Sequence, residues 1–254
     1  MRTQNAVLNV LFTLLKQLAA AVSGLILPRL LMGQYGSEAN GLVGSITQFL
    51  SYISLMEAGV GGVNSASLYK PLYQKDMRQV SGVIEAAKRF YHKIGLMAVL
   101  YILALCALYP LIIKSSFDAP YVVSLILILA IGTLAQYFVS LPYMALIKAS
   151  QRLWLISLFT ILTTTLTLIA SVILIELDAS IHAVKGAACA INLLNPLLMT
   201  LYVRKKFALP KAEPDNHAIQ QRWNGLGHHL AFFIHMNTDI AVLSLFMDLV
   251  HVSV

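Results

Sequence analysis

The sequence predicts an all-α fold, a polytopic bundle of about seven transmembrane helices, and three observations support this. First, 58% of the 254 residues are hydrophobic and only 11% are charged, whereas soluble domains have roughly 25% charged residues. Second, the chain holds seven largely apolar stretches of about 20 residues or more, the length that crosses about 30 Å of hydrocarbon. Third, the connections between these stretches are short, which favours a compact helical bundle without a sizeable soluble domain.

The predicted spans follow one another along the whole chain. They cover residues 6–31, 40–62, 94–113, 121–147, 153–175, 183–203 and 229–249. The first is too long for a signal peptide and six more follow it, so we expect it to be retained. A charged stretch with two prolines separates the sixth span from the seventh. We therefore expect a six-helix lobe at 1–206, a linker at 207–226 and the first helix of a second lobe at 227–254.

The positions of the 18 Lys and Arg residues predict the orientation of these spans. With a cytoplasmic N-terminus, fourteen of them lie inside, three (Arg29, Lys114 and Lys185) lie at or near the outer ends, and Lys16 lies within the first helix. The inner set is Arg2, Lys70, Lys75, Arg78, Lys88, Arg89, Lys93, Lys148, Arg152, Arg204, Lys205, Lys206, Lys211 and Arg222. By the positive-inside rule the N-terminus is cytoplasmic. The sorting explains the net charge of +7 without a nucleic acid partner, and the basic loops would attract anionic membrane lipids.

One inner loop carries a helical pattern of its own. Asp76 is a candidate N-cap, and Val80, Ile84, Ala87 and Tyr91 follow at helical spacing. The pattern predicts an amphipathic helix lying along the inner interface of the membrane. An ordinary solvated connector is the alternative.

Three ionisable residues fall at membrane depth, where a charge costs about 2.5–3.5 kcal/mol on insertion scales and marks a functional candidate. Lys16 forms either an ion pair with Glu57 or a cationic lining for an anionic substrate. Asp239 belongs to a polar triplet with Asn237 and Thr238. Its carboxylate is a candidate for binding a coupling proton or cation, and a structural role is the alternative for both acids.

The second span has two opposite stripes. Bulky side chains line one side, and small or polar ones, including Thr47, Ser51 and Ser54, line the other. The small stripe predicts either a close helix contact or a wet cavity, and Glu57 falls between the stripes. In later spans, five threonines at 160–167 are expected to bond to backbone carbonyls, and Asn192, Asn195 and Pro196 predict a kink.

The sequence lacks the patterns of soluble enzymes. It has no Gly-rich phosphate loop, no paired metal-ligand spacing and no nucleophile elbow, so we expect no catalytic residues, cofactor or metal. Cys106 and Cys189 both fall in predicted spans. We interpret them as small apolar side chains rather than a disulfide.

Four stretches carry a resemblance to a known family. They are YGSEANGL at 35–42, FLSYISLMEAGVG at 49–61, SLYKPL at 67–72 and NTDIAVLS at 237–244. With the helix spacing, the chain resembles the polysaccharide-transporter branch of the multidrug/oligosaccharidyl-lipid/polysaccharide flippase superfamily, which includes the O-antigen and capsule-repeat flippases. Such proteins have two six-helix lobes around a central cavity, which alternately opens to each side.

The resemblance implies a function in the bacterial cytoplasmic membrane. The cargo is a polyprenyl-pyrophosphate oligosaccharide, moved from the cytoplasmic to the outer leaflet for O-antigen or capsule synthesis. Lys16 and Arg29 become candidate contacts for its headgroup. A complex with polysaccharide polymerase or glycosyltransferases is also implied, and Glu57 falls in a family motif with a role in either transport or folding.

The chain is shorter than the family pattern. We expect it to hold one lobe and the opening helix of the next, as a fragment, a truncated gene product or a half that associates with another copy. Two other functions stay open. An exporter of small cationic molecules would favour acids over bases in its cavity, and a non-transporting scaffold or inactive remnant would need neither.

Overall fold

The computed structural model describes residues 2–57, 60–113, 115–215 and 217, and every regular element in these ranges is helical. The predicted all-α fold is confirmed for this part of the chain. The α-helices are α1 (Arg2–Tyr35), α2 (Ser37–Ser51), α3 (Val60–Gln74), α4 (Met77–Ile112), α5 (Ala119–Ala135), α6 (Leu141–Ala149), α7 (Leu153–Glu176), α8 (Ile181–Asn192) and α9 (Leu194–Lys206). A 3₁₀ segment (Tyr52–Glu57) precedes α3, and a π segment (Gln136–Ser140) joins α5 to α6.

Five helical stretches in the described ranges are long and apolar enough to cross a membrane. They are Thr3–Tyr35, Met77–Ile112, Ala119–Ala149, Leu153–Glu176 and Ile181–Lys206, and they contain the predicted first and third to sixth spans. The predicted second span coincides with α2, the 3₁₀ segment and the start of α3, none of which is long enough alone. The predicted seventh span, with Asn237 and Asp239, lies outside the described residues. The count of about seven spans is therefore not confirmed.

Contacts between helix ends show which turns lie together. The Asn9 amide donates to the Gln151 carbonyl (3.2 Å) near the start of α7, and the Gln34 amide donates to Asp178 (2.7 Å) just past its end, so α1 and α7 run parallel. The Glu38 carboxylate accepts from the Ser116 backbone N–H (2.6 Å). The turns at residues 36, 115–118 and 177–180 thus share one end of the bundle.

The opposite end collects most of the positive charge, and we call it the basic end. It contains the α3–α4 turn, the α6–α7 turn and the C-terminal end of α9. Lys88, Arg204 and Lys211 line one pocket there, and Asn9 ties the start of α1 to the same end. Within the described ranges, the segments predicted on the inner side of the membrane therefore share one end of the fold, whereas Arg222 lies outside the described residues.

Helix α4 (Met77–Ile112) is longer than the predicted span at 94–113. Asp76 is its N-cap, since the Asp76 side chain accepts from the Gln79 N–H at 2.9 Å. From Met77 the helix continues for 36 residues, about 54 Å at 1.5 Å per residue. The predicted separate interfacial helix is wrong, because its buried residues, among them Val80 and Tyr91, continue in register with the core-facing side of the span.

The main core lies between α2, the 3₁₀ segment, α4 and α5. The bulky stripe of the second span is part of it, and Leu42, Ile46 and Ile53 are fully buried. Tyr101 donates to the Phe49 carbonyl (2.9 Å), which fixes α2 against α4. Helix α1 packs on α7 at the edge of the bundle and leaves much of its apolar surface exposed, as expected of a face turned to lipid or to another helix. Both cysteines are free, as the sequence predicted.

Candidate functional site

The second span leaves regular α-helical hydrogen bonding at Tyr52, where the 3₁₀ segment that contains Glu57 begins. The 3₁₀ segment ends at Glu57, and α3 begins at Val60. The Tyr137 hydroxyl, on the π segment, is within hydrogen-bonding reach of the Glu57 carboxylate, and Tyr91 of α4 lies close to it. Periodicity left Glu57 between two stripes, whereas the structure places it on the side that faces α4 and the π segment.

The predicted polar stripe of the second span lies away from the core. Thr47 is exposed, and Ser51 and Ser54 are half-buried. The Thr47 hydroxyl donates to the Val43 carbonyl (2.7 Å) and the Ser51 hydroxyl to that of Gln48 (2.7 Å). Thr47 is thus exposed among the described residues, and the two interpretations of this stripe, a close helix contact or a wet cavity, both stay predictions.

The two candidate headgroup cations both lie on α1. Lys16 is half-buried and Arg29 is exposed. They are 13 residues apart, which is about 20 Å along a helix axis and roughly 140° around it, so they do not share one site. Lys16 belongs to the helix that packs on α7, whereas Glu57 faces α4 and the π segment. Asp239 and Asn237 lie outside the described residues.

A polar cavity, which we define by its lining residues, lies between α5, the π segment, α6, α7, α8 and α9, and it opens to the surface at Gln136 and Asn192, which are exposed. Its volume is about 340 Å³. Six of the residues around it carry hydroxyl or amide side chains: Thr133, Gln136, Ser140, Thr160, Asn192 and Asn195. The remaining lining residues are apolar or glycine, so none of the described residues that line the cavity is ionisable. Sequence reasoning missed this cavity.

Prolines account for the irregular backbone beside the polar cavity. Pro196 has no N–H to donate to the Asn192 carbonyl four residues back, and the helix is interrupted at Leu193, between α8 and α9. Leu193 keeps helical backbone angles and bonds to Cys189 and Leu197, so the kink expected here stays a prediction. Pro142 likewise cannot donate to the Phe138 carbonyl, and the π segment lies immediately before it. The Thr200 hydroxyl reaches the Val139 carbonyl of this segment at 3.5 Å.

The threonine cluster behaves as expected only in part. The Thr160 hydroxyl donates to the Ile156 carbonyl (2.8 Å) and that of Thr163 to the Phe159 carbonyl (3.1 Å). Thr160 also accepts from the Asn195 amide nitrogen at 3.3 Å. The Asn195 amide oxygen is buried and has no hydrogen-bond partner in the part of the chain that the structure describes.

A second pocket, of about 260 Å³, opens at the basic end. Lys88, Arg204 and Lys211 contribute cations to it, together with Glu85 and Tyr143. Lys88 pairs with Glu85 at 2.6 Å and lies 5.2 Å from the centre of the Tyr143 ring. Arg204 on α9 and Lys211 on the segment after α9 therefore line the same pocket as the Glu85 carboxylate, which already pairs with Lys88.

The segment after α9 crosses the start of α4, and we call residues 207–215 the strap. The Asp215 N–H donates to the Gly82 carbonyl at 3.0 Å. A side chain at position 82 would meet the Glu213 carbonyl, since a Cβ there would lie 3.0 Å from that oxygen. The glycine thus permits the close approach of the strap.

Comparisons with known proteins leave the family open. No protein-family model, no curated protein and no solved structure matches this chain.

Proposed function

We propose that this chain forms a lobe of a flippase for polyprenyl-pyrophosphate oligosaccharides in the bacterial cytoplasmic membrane. The observation that carries the proposal is the irregular backbone of three spans. The second span passes through a 3₁₀ segment, the fourth passes through a π segment, and the sixth lacks one helical hydrogen bond at Pro196, beside Leu193. Transporters place their ligand sites near the bilayer midplane beside discontinuous helices of this kind.

The chemistry of the cargo suits the side chains at hand. A pyrophosphate needs cations, and Lys16 supplies one at membrane depth on a helix at the edge of the bundle. Sugar hydroxyls need polar partners that donate and accept hydrogen bonds, such as the hydroxyls of Thr47, Ser51 and Ser54. The polyprenyl tail can stay in lipid beside the exposed apolar face of α1. The basic end then faces the cytoplasm, where the anionic headgroup enters.

The two other functions make different demands. An exporter of cationic molecules needs acids where its cargo binds, and the lining residues of the polar cavity include none. A scaffold needs no ligand site in the bundle. In a scaffold, irregular backbone at membrane depth would lose hydrogen bonds, and no bound ligand would compensate for that loss.

Ligand binding by the purified chain in lipid nanodiscs tests the proposal. The chain is titrated with a fluorescent polyprenyl-pyrophosphate oligosaccharide, with the same polyprenyl chain lacking the pyrophosphate and sugar, and with a lipophilic cationic dye. We expect saturable binding of the first and none of the other two. Saturable binding of the dye alone would assign the exporter, and binding of none of the three would assign the scaffold.

A further inference from the structure

The polar cavity lies at the level where water is scarcest. Gln136 is close to the middle of the stretch Ala119–Ala149, and Asn195 is close to the middle of Ile181–Lys206. A polar group without a hydrogen-bond partner costs roughly 2–7 kcal/mol in an apolar environment. Six hydroxyl and amide side chains from three spans converge at this depth. Gln136 and Asn192 are exposed and the other four are buried or half-buried, so the cost falls on those four unless something bonds to them.

The protein satisfies these groups only in part. Thr160 and Asn195 bond to one another at 3.3 Å, but the Asn195 amide oxygen remains buried and unpartnered within the described ranges. The Asn192 and Phe138 carbonyls cannot receive their usual helical bonds from Pro196 and Pro142. Of these groups, the Asn192 carbonyl and the Asn195 amide oxygen belong to residues that line the cavity.

The lining selects the chemistry of a ligand. Without an ionisable side chain in its lining, the cavity offers nothing to offset the desolvation of a charged group. Amides and hydroxyls both donate and accept, so they match a neutral ligand that carries several hydroxyls. A volume of about 340 Å³ falls at the lower end of the roughly 300–1,000 Å³ typical of ligand pockets, which suits a small ring.

We propose that the polar cavity binds a neutral sugar unit of the transported oligosaccharide, an inference that rests on the proposed function. Gln136 supplies an amide from the π segment, Asn195 supplies one from α9, and Thr160 supplies a hydroxyl from α7. The pyrophosphate is held elsewhere, because no described residue that lines the cavity is a cation.

The test follows a cysteine placed in the cavity. Cys106 and Cys189 are replaced by alanine, Thr133→Cys is introduced, and its reaction with methyl methanethiosulfonate is timed on the purified chain. Neutral hexoses, N-acetylhexosamines and disaccharides are added in turn, with betaine at equal osmolarity as the control. We expect at least one sugar to slow the reaction about threefold at twice its Kd, and betaine to leave it unchanged.

Two matched substitutions on α7 locate the effect. Thr160→Val removes a cavity hydroxyl while keeping the side chain's shape, and with Gln136→Leu it should abolish protection. Thr165→Val makes the same change on an exposed residue outside the cavity lining, and protection should survive. Protection that persists in the Thr160→Val/Gln136→Leu variant would place the sugar elsewhere and overturn the proposal.

The remaining outcomes separate the sugar site from the flippase. A cysteine that reacts freely but is protected by no sugar would mean a water-filled cavity, and one that never reacts would mean a closed space; either result overturns the sugar site. If the chain still binds the lipid-linked oligosaccharide, the flippase proposal survives that failure. If free sugars protect but the lipid-linked ligand does not bind, the sugar site stands and the flippase proposal falls.

Discussion

At the scale of single residues, Lys16 tests whether the candidate headgroup site is electrostatic. We expect Lys16→Ala to weaken binding of a polyprenyl pyrophosphate about tenfold or more, because hydrogen bonds to charged groups contribute about 1.5–3 kcal/mol. Lys16→Arg keeps the charge but changes its geometry and should retain part of the affinity. The measurement is a nanodisc titration. Lys148→Ala, which removes an exposed cation in the last turn of α6, is the control; equal loss in both variants would indicate nonspecific charge attraction.

A second residue-scale prediction concerns the contact between α4 and the π segment. A Cβ on Gly95 would lie 2.7 Å from the tip of the Phe138 ring, and that ring also packs edge-on against His92 at 5.4 Å between centroids. Overpacking costs about 1–3 kcal/mol, whereas replacing a helical glycine gains about 0.5–1 kcal/mol. We therefore expect Gly95→Ala to lower the free energy of unfolding by about 1–2 kcal/mol in a reversible denaturation assay.

Two further variants isolate the cause of that loss. In a Phe138→Leu background, Gly95→Ala should cost little, because the obstructing ring is gone. Gly24→Ala places a Cβ where no atom lies within 4 Å, so it should be neutral or slightly stabilising. A similar loss from Gly24→Ala would show that steric contact with Phe138 is not the reason.

Local explanations of residues limited what the sequence could predict about the polar cavity. The hydrogen bond from Thr160 to the Ile156 carbonyl was enough to explain a threonine at membrane depth. The predicted kink beside Pro196 was enough to explain Asn195. Each explanation is local, yet both residues also line one cavity with Gln136. The available signal was that amides and hydroxyls occur near the middle of three separate spans, and only packing could show that those spans are neighbours.

At the scale of elements, the length of the apolar stretches predicted the positions of most spans but not where their helices begin and end. Charged residues near Lys88 end the hydropathic stretch of α4, although the helix itself continues back to Met77. Helical hydrogen bonding requires no apolar side chain, and one side of α4 remains buried throughout. In the second span the opposite holds, because the apolar stretch continues while the α-helix does not. The stretch passes through the 3₁₀ segment that ends at Glu57.

The strap is an element whose contact can be tested directly. We expect Gly82→Val to push the Glu213 carbonyl away and break the hydrogen bond from the Asp215 N–H. Local opening should then become easier by about 1 kcal/mol, so trypsin should cut after the exposed Lys211 about five to ten times faster. Mass spectrometry of the fragments identifies the cleaved bond.

The control for the strap is another helical glycine. Gly62→Val makes the same substitution on α3 at a position where a Cβ meets no atom within 4 Å. Its cleavage rate after Lys211 should equal that of the unaltered chain. If Gly82→Val also leaves the rate unchanged, the strap does not depend on close approach at position 82.

At the scale of the whole molecule, the fold leaves two possible membrane orientations, with either the basic end or the opposite end facing the cytoplasm. Contacts of Gln34 with Asp178 and of Glu38 with Ser116 place three turns at one end, and fourteen of the 18 Lys and Arg residues belong to segments predicted on the other side. Which end faces the cytoplasm is set by the charge rule and not by packing. The two sources of information are therefore independent and can fail separately.

Cysteine labelling in intact cells tests both. With Cys106 and Cys189 replaced by alanine, single cysteines are placed at exposed positions of the basic end (Gln74, Lys148, Ala208) and of the opposite end (Gln34, Ala119, Leu177). A membrane-impermeant maleimide should label the second group only, and permeabilised cells should label both. Full reversal would contradict the charge rule while leaving the fold intact. Mixed labelling within either group, for example Gln34→Cys labelled but Leu177→Cys protected, would contradict the fold itself, because those residues lie at one end of two parallel helices.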